Sequence, residues 1–364
     1  MAEVRRPPEA HENRMRSTSL LTAVLFMAAL ASQSPTPPPP TPAAAPTAVR
    51  LVYEMPVDAL QRALRDQANG DLEQVLAGTV VDVQTRLGAE AKVARQAATG
   101  FTVDLANADA AEVERVRRCV ETAGKLEMRV LANGDYSAGD VKFDLATESE
   151  RLQAWLDAGG RDKLRTDPGA LVAFHDDAKA GPLAGKSLRW FVHRIEADAK
   201  NAGRWQPSCR SYLRDACVAA YADKDWNDGT IPKHVQALPA EQRFLVELIA
   251  VNMHEEHFDS RDLDPQGTRR VRGGDGEPCL QYRLRGDRGA AYADWSEKNI
   301  GKVTAILWND QVLSTPRFVS RISSGIGQIA GSFADEDLET MQRALQAPPL
   351  TLEPRFVRQE PAGK

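Results

Sequence analysis

Residues 72–131 read LEQVLAGTVVDVQTRLGAEAKVARQAATGFTVDLANADAAEVERVRRCVETAGKLEMRVL, and this stretch decides the fold of the first half of the chain. Apolar residues recur at helical spacing over Leu72–Leu87, and the pattern stops at Gly88, a residue that commonly ends helices. Lys92–Gln96 and Phe101–Leu105 alternate between apolar and polar residues, which predicts two strands of a hairpin.

The same pattern extends on both sides of this hairpin. Val113–Ala123 has helical periodicity and ends before Gly124, and Leu126–Leu131 is predicted as a strand. Leu51–Met55 is predicted as the first strand. The order β-α-β-β-α-β is that of a ferredoxin-like unit, in which both helices cover one face of an antiparallel sheet. The sequence therefore predicts an α+β base domain over residues 51–135.

A second regular region begins at Glu277. The predicted elements are strands at Leu280–Leu284, Val303–Trp308, Gln311–Phe318 and Gly325–Phe333, helices at Ala290–Lys298 and from Asp335, and a closing segment at Leu350–Leu352. Asn309 and Asp310 suit a two-residue hairpin turn. These elements predict a second ferredoxin-like unit, the head subdomain, over residues 259–355, followed by a tail at 356–364.

Residues 136–258 are predicted as a mixed, mainly helical insertion between the two units. Ser187–Ile195 has the pattern of a strand. Helices are predicted at Glu148–Leu156, at Arg210–Tyr221 and after Pro239, the last with a core stripe of Phe244, Leu245, Leu248, Ile249 and Val251. Four tryptophans fall here, and they are interpreted either as core residues or as a peptide-binding surface: Trp155, Trp190, Trp205 and Trp226.

The first 31 residues have the layout of a secretory signal peptide. Arg14 and Arg16 precede the apolar stretch Leu20–Ala31, and cleavage is expected after Ala31. The stretch is shorter than the roughly 20 residues that span a bilayer, so the alternative is a short uncleaved anchor. Residues 32–50 are a Pro/Ala-rich linker. We therefore expect an extracytoplasmic protein of the periplasm or cell envelope, which touches the membrane only through an uncleaved leader.

Charge and cysteine content restrict the partners further. The formal net charge of −5 does not favour nucleic acid as a partner. Export permits disulfides, and Cys209 with Cys217 is the most plausible bridge. Cys119 lies on the apolar side of a predicted helix, where a buried free thiol is expected. No cofactor is predicted.

Catalytic motifs are weak throughout the sequence. His254 and His257 are three residues apart at the end of the helix predicted after Pro239, whereas a zinc-protease helix places its two histidines four apart. The Gly273–Pro278 run lacks the Lys-Ser/Thr of a phosphate loop. We therefore predict neither a catalytic nor a metal site, and a metal-dependent hydrolase at His254 and His257 is the third functional hypothesis.

The glycine-rich strand offers a candidate binding edge. A strand with few side chains can pair with an extended peptide through backbone hydrogen bonds. The candidate client-contact residues are Gly325, Gly327, Gln328 and Gly331. On this hypothesis a bulky residue at 327 lowers binding without unfolding the domain. The alternative is that these glycines accommodate a bulge or a bend.

Two segments carry a resemblance to a known family. The first contains Arg86-Leu87-Gly88 and Lys125-Leu126-Glu127-Met128-Arg129, and the second contains Asn299–Lys302, Val312–Pro316 and Gly325–Phe333. In this order they resemble the base and head of the first periplasmic domain of the preprotein translocase subunit SecD/SecDF. Pro348-Pro349 departs from the family, which has glycine after the last head helix.

The resemblance implies a non-catalytic role in Sec-dependent protein export. It would consist of contacting unfolded or translocating polypeptide, or Sec translocon subunits. The family's proton-handling membrane residues have no counterpart positions here, so proton-driven pulling is not carried over. The alternative is a stand-alone periplasmic interaction or scaffolding module that is not tied to translocation.

Overall fold

The structure, a computed structural model, describes most of the chain from Thr47 onward: residues 47–56, 61, 71–96, 99–132, 137–138, 141–142, 145–166, 170–175, 188–196, 220–221, 244–274, 276–331 and 333–362. The predicted leader lies outside the described residues, and so do Cys209, Cys217, Trp205 and Trp226. Within the described residues no helix is long and apolar enough to cross a bilayer.

The first sheet joins the two ends of the described chain. Its strands are β1 (Thr47–Glu54), β2 (Ala91–Gln96), β3 (Gly100–Ala108) and β16 (Arg355–Pro361), in the order β16-β1-β3-β2 with antiparallel neighbours. Alternate residues such as Leu51 and Phe101 point into one core. Residues 356–364, predicted as a tail, therefore include most of an edge strand.

Two helices cover one face of this sheet, as predicted. They are α1 (Leu72–Leu87) and α2 (Ala110–Glu121), and both contribute to the same core as β1 and β3. Asp71 and Asp109 cap them, accepting from the backbone N–H of Glu73 (3.0 Å) and Glu112 (2.8 Å). Gly88 ends α1 with a positive φ of 63°.

The strand after α2 leaves this sheet. β4 (Leu126–Val130) pairs along its whole length with β13 (Thr304–Trp308) in a different sheet. The prediction that residues 126–131 close a base domain is therefore wrong. Leu126, Met128 and Val130 are buried in a second core, and backbone pairing alone does not select a partner, so side-chain packing decides where the strand lies. The predicted closing segment Leu350–Leu352 is not a strand and packs into the first core.

The second sheet runs through the middle of the molecule. Its described strands follow the order β10-β4-β13-β14-β7-β9-β8, and the pair β14–β7 is parallel. The strands not yet introduced are β7 (Leu188–Glu196), β8 (Ala220–Tyr221), β9 (Phe244–Asn252), β10 (Phe258–Asp259) and β14 (Gln311–Ser314). The turn between β13 and β14 is the predicted one, with positive φ at Asn309 and Asp310.

β9 and β8 correct two predicted helices. The segment after Pro239 is described from Phe244, where it is a strand paired with β7 over nine positions and not a helix. Val246, Leu248 and Ala250 face one core, and Ile249 and Val251 face another. A strand buried on both faces reads as a continuous apolar run, which periodicity alone does not separate from a helix. Likewise, the end of the helix predicted at Arg210–Tyr221 is the short strand β8.

Short helices cover one face of β7 and β9. They are α3 (Leu145–Trp155), a π-helical turn (Leu156–Gly160), α4 (Arg161–Thr166) and α5 (Ala170–His175), and they pack with Trp190, Leu248 and Ala250. β5 (Ser137–Ala138) and β6 (Val141–Lys142) form a two-stranded ribbon. Residues 136–258 are mixed where they are described, since two nine-residue strands lie beside these helices.

The third sheet carries the candidate site. It consists of β11 (Arg269–Arg272), β12 (Pro278–Arg283) and β15 (Ile326–Ile329), in that order. α6 (Gly286–Lys298) and α7 (Asp335–Leu345) share its core through Tyr292 and Leu338. The elements predicted for a single head unit thus exist, but their strands are divided between this sheet and the second one.

Candidate functional site

The candidate site is the outer edge of β15. β15 pairs with β12 on one side, and within the described residues no strand pairs with its other side. Gly325 directly precedes the strand, Gly327 and Gln328 lie in it, and Gly331 follows two residues after its end. The structure therefore brings three of the four sequence-predicted residues together at one edge.

The hydrogen-bond pattern shows which backbone groups face outward. Leu284 donates its N–H to the carbonyl of Gly325 (2.8 Å), continuing the register in which Tyr282 lies opposite Gly327. Bonded and non-bonded pairs alternate in an antiparallel ladder. Gly327 therefore directs its N–H and C=O toward β12, and Ile326 and Gln328 direct theirs toward the open edge. The N–H of Ile326 donates to Ser324 Oγ (3.2 Å). The carbonyl of Ile326 and both backbone groups of Gln328 have no hydrogen-bond partner among the described residues.

The side chains along this edge carry no charge. Residues 325–331 read GIGQIAG, and the side chain of Gln328 is exposed. Natural edge strands are usually protected from pairing with other chains by charged side chains, proline or bulges. The described part of β15 has a regular register with β12 and none of these protective residues.

Two of the candidate glycines have packing roles. A Cβ on Gly327 would overlap the hydroxyl of Tyr282, which is buried and lies 3.2 Å from the hydroxyl of Tyr292. Gly325 has a positive φ of 61°, and a Cβ there would lie 3.0 Å from Gly289 Cα in α6. These contacts oppose the expectation that a bulky residue at 327 leaves the domain folded. They give both glycines a role in close packing, and the regular register of β15 with β12 shows no bulge of the kind named as the alternative.

The opposite edge of the sheet is protected. β11 reads Arg-Arg-Val-Arg, and Arg269, Arg270 and Arg272 are exposed. Gly273 donates to the carbonyl of Glu277 (2.8 Å), so by the same alternation Arg270 and Arg272 direct their backbone groups outward. Sequence reasoning missed these arginines, although a run of arginines in a short strand is a recognisable sign of an edge.

The face of the sheet away from the core is rich in hydrogen-bond donors. One cross-strand row consists of Arg269, Gln281 and Gln328, and the next places Arg283 opposite Ile326. With its amide oxygen turned toward Arg269, Gln281 accepts from the guanidinium Nε (3.0 Å) and Nη2 (3.1 Å). The NH₂ group of Gln281 is then directed away from Arg269.

The histidine cluster lies in a loop. His254 and His257 follow β9 in a loop, not at the end of a helix. His254 donates its backbone N–H to Asn252 Oδ1 (2.9 Å), and His257 Nε2 lies 3.9 Å from Asp259. Burial lowers the pKa of His257, and the nearby Arg129 lowers it further. No group of three or more potential ligands occurs among the described residues.

The described tryptophans of residues 136–258 and the described cysteines pack in or beside the hydrophobic cores. Trp190 is 2% exposed and Trp155 packs beside the same core, so neither presents an open aromatic surface. Cys119 is a buried free thiol, as expected, and burial raises its pKa. Cys279 is also buried.

The comparisons with known proteins converge on one family. Residues 263–352 match the model of the SecDF P1 head subdomain. Two similar proteins are named protein translocase subunit SecD: that of Aquifex aeolicus strain VF5, 30% identical over 88 residues, and that of Thermobaculum terrenum, 26% identical over 119 residues. The alignments cover 24% and 33% of this chain, and 17% and 22% of those proteins. The chain thus spans about a fifth of the length of these relatives.

Solved structures of SecDF also align with the chain. One is SecDF in a super-membrane-facing form, with 15% identity, a TM-score of 0.45, and coverage of 86% of this chain and 30% of that one. Another is described as a membrane component, SecDF, that enhances protein export, with 15% identity, a TM-score of 0.43, and coverage of 85% and 98%. The relation to SecD/SecDF rests on the sequence matches and not on these structural alignments. The chain resembles the periplasmic domain of SecD/SecDF, as its sequence implied.

Proposed function

We propose that this protein is a non-catalytic, extracytoplasmic accessory of Sec-dependent protein export, which binds extended segments of translocating polypeptide along the edge of β15. One observation carries the proposal. The outward backbone groups of Gln328 lie on an uncharged strand edge, inside the segment that matches the SecDF P1 head. An extended polypeptide would add to the sheet as a further strand.

The geometry supports weak and reversible binding. A net hydrogen bond contributes about 0.5–1.5 kcal/mol, so the few outward groups of Ile326 and Gln328 supply only a few kcal/mol. A dissociation constant of about 1 mM corresponds to about 4 kcal/mol. Backbone pairing also requires no particular side chains, which suits a partner that must accept many exported sequences and release them.

Site-specific crosslinking in intact cells tests this role. A photoreactive amino acid at the exposed Gln328 is expected to capture exported chains during translocation. The matched control is the same amino acid at Val357, which is 44% exposed on the edge strand β16 of the first sheet. Equal capture at both positions would contradict a specific edge. Capture of Sec subunits without exported chains would indicate that the edge binds the translocon and not the client.

A proline at position 328 tests the backbone mechanism. The N–H of Gln328 is not part of the ladder with β12, so Gln328→Pro removes only an outward donor, and proline is tolerated at such edge positions. We expect capture by a crosslinker at the neighbouring Ala330 to fall about tenfold, which corresponds to about 1.4 kcal/mol, with an unchanged melting temperature. If neither exported chains nor Sec subunits are captured by the wild-type chain, the stand-alone periplasmic module becomes the better reading.

A further inference from the structure

The face of the third sheet away from the core, next to the outer edge of β15, carries two arginines that form no ion pair with a described residue. Arg269 and Arg283 are both exposed, and neither forms an ion pair with a described residue. Other arginines of the same region do pair, since Arg261 binds Asp259, Arg288 binds Asp262 and Arg321 binds Asp294. Among the described residues, Arg269 and Arg283 therefore keep their guanidinium groups out of ion pairs, and the Asp264 carboxylate lies at the Gly267 side of Arg283, away from β15.

The register places Arg283 within reach of an added strand. Arg283 lies opposite Ile326, and on its other side the row ends at Gly267, where a Cβ would lie 2.5 Å from Arg283 Cβ. A strand added beside β15 would lie two strand spacings from β12, about 10 Å. An arginine side chain that extends over Ile326 and a glutamate on the added strand together bridge such a distance.

The neighbouring cross-strand row also presents hydrogen-bond donors. With its amide oxygen turned toward Arg269, Gln281 directs its NH₂ group toward β15, where Gln328 is exposed. The outer face next to an added strand thus carries guanidinium and amide N–H donors of Arg283, Gln281 and Gln328. Hydrogen bonds from such donors to a carboxylate are stronger than those to a neutral amide.

We propose that the β15 edge prefers extended polypeptide segments that carry acidic side chains on the outer face of the sheet, with Arg283 as the main determinant and Arg269 acting through Gln281, whose NH₂ group it orients. This inference rests on the proposed function of the edge and adds a chemical class of client to it. The backbone of the client supplies the pairing, and its carboxylates select the segment.

Matched peptides test the preference on the full chain. Two fluorescent peptides share an alternating sequence and differ only by Glu or Gln at the outward positions, and their dissociation constants are measured by anisotropy at low and high salt. We expect the Glu peptide to bind roughly 3- to 10-fold more tightly at low salt, with a smaller ratio at high salt, because exposed ion pairs are modest and screened.

Substitutions assign the preference to the two arginines. Arg283→Gln is expected to reduce the ratio to less than about twofold, and Arg269→Gln to reduce it in part. The matched control is Arg355→Gln, an exposed arginine of β16, which should leave the ratio unchanged. Thermal melts confirm that each variant is folded.

Each outcome decides one of the two claims. If neither peptide binds the wild-type chain, the proposed edge itself fails. If both bind equally, the edge stands and the acidic preference is overturned. A preference that survives both Arg283→Gln and Arg269→Gln would also overturn it, because it would come from elsewhere on the chain.

Discussion

β11 and β15 are the two edges of one three-stranded sheet, and they differ in how they face other chains. On β11 the backbone groups of Arg270 and Arg272 face outward, and both residues carry an exposed, charged side chain. β15 directs those of Ile326 and Gln328 outward with no charge nearby in sequence. An unprotected edge invites strand addition. Among the described strands, this sheet is therefore protected on the β11 side and unpaired on the β15 side.

The first sheet shows a third way to treat an edge. The side of β1 away from β3 is covered by β16, which comes from the other end of the described chain. Phe356 of β16 packs edge-on against Tyr53, with ring centroids 5.8 Å apart, and the Arg117 guanidinium lies 4.1 Å from the centre of the Phe356 ring. The edge of β1 is thus covered by the chain itself, and β16 becomes the edge strand of the first sheet.

Removing β16 should have the largest effect. A chain that ends at Pro354 exposes the edge of β1 and loses the Phe356 contacts, so we expect the first core to lose about 5 kcal/mol or more, comparable with the stability of a whole domain. Circular dichroism melts and size-exclusion chromatography would show a lost or lowered transition and aggregation. A chain ending at Ala362 is the control. An unchanged melting temperature in the shorter chain would mean that β16 is dispensable.

Gly327→Val should have the next largest effect, because the added side chain overlaps the buried Tyr282. Overpacking of this kind costs about 1–3 kcal/mol, measured as a lower midpoint of chemical denaturation. Gly274→Val is the matched control, since a Cβ at 274 meets no atom within 4 Å. Equal midpoints for the two variants would show that Tyr282 moves aside, and position 327 would then be usable as a probe of binding.

Exchanging the arginines of β11 should have the smallest effect on stability and an informative one on association. Arg270→Val with Arg272→Val removes the protecting charges, and exposed substitutions usually change stability by no more than about 0.5 kcal/mol. We expect concentration-dependent self-association by analytical ultracentrifugation. The control variant is Arg269→Val with Arg283→Val. It removes the same charge at two positions whose backbone groups do not face an open edge, and it should stay monodisperse. Association of both variants would point to lost charge and not to the edge.

The site was predictable only in part. Glycine content directed attention to residues 325–331, and the structure shows that the contribution of Gln328 comes from its outward backbone, which depends on the register with β12. Gly327 lacks a side chain because Tyr282 occupies that space. The proposed role of Arg269 and Arg283 depends on the residues opposite them in neighbouring strands. No local sequence pattern shows which strands are neighbours.

The sequence by itself determined the local elements: the capped helices α1 and α2, the β2–β3 hairpin, the Asn309-Asp310 turn and the resemblance to SecD. These depend on residues close together in the chain, where periodicity, capping and turn chemistry act. Only the tertiary structure decided that β16 closes the first sheet, that β4 joins the second and that Phe244–Asn252 is a strand. Every strand carries the same backbone N–H and C=O groups, so the partners of a strand are chosen by the burial of side chains that lie far apart in sequence.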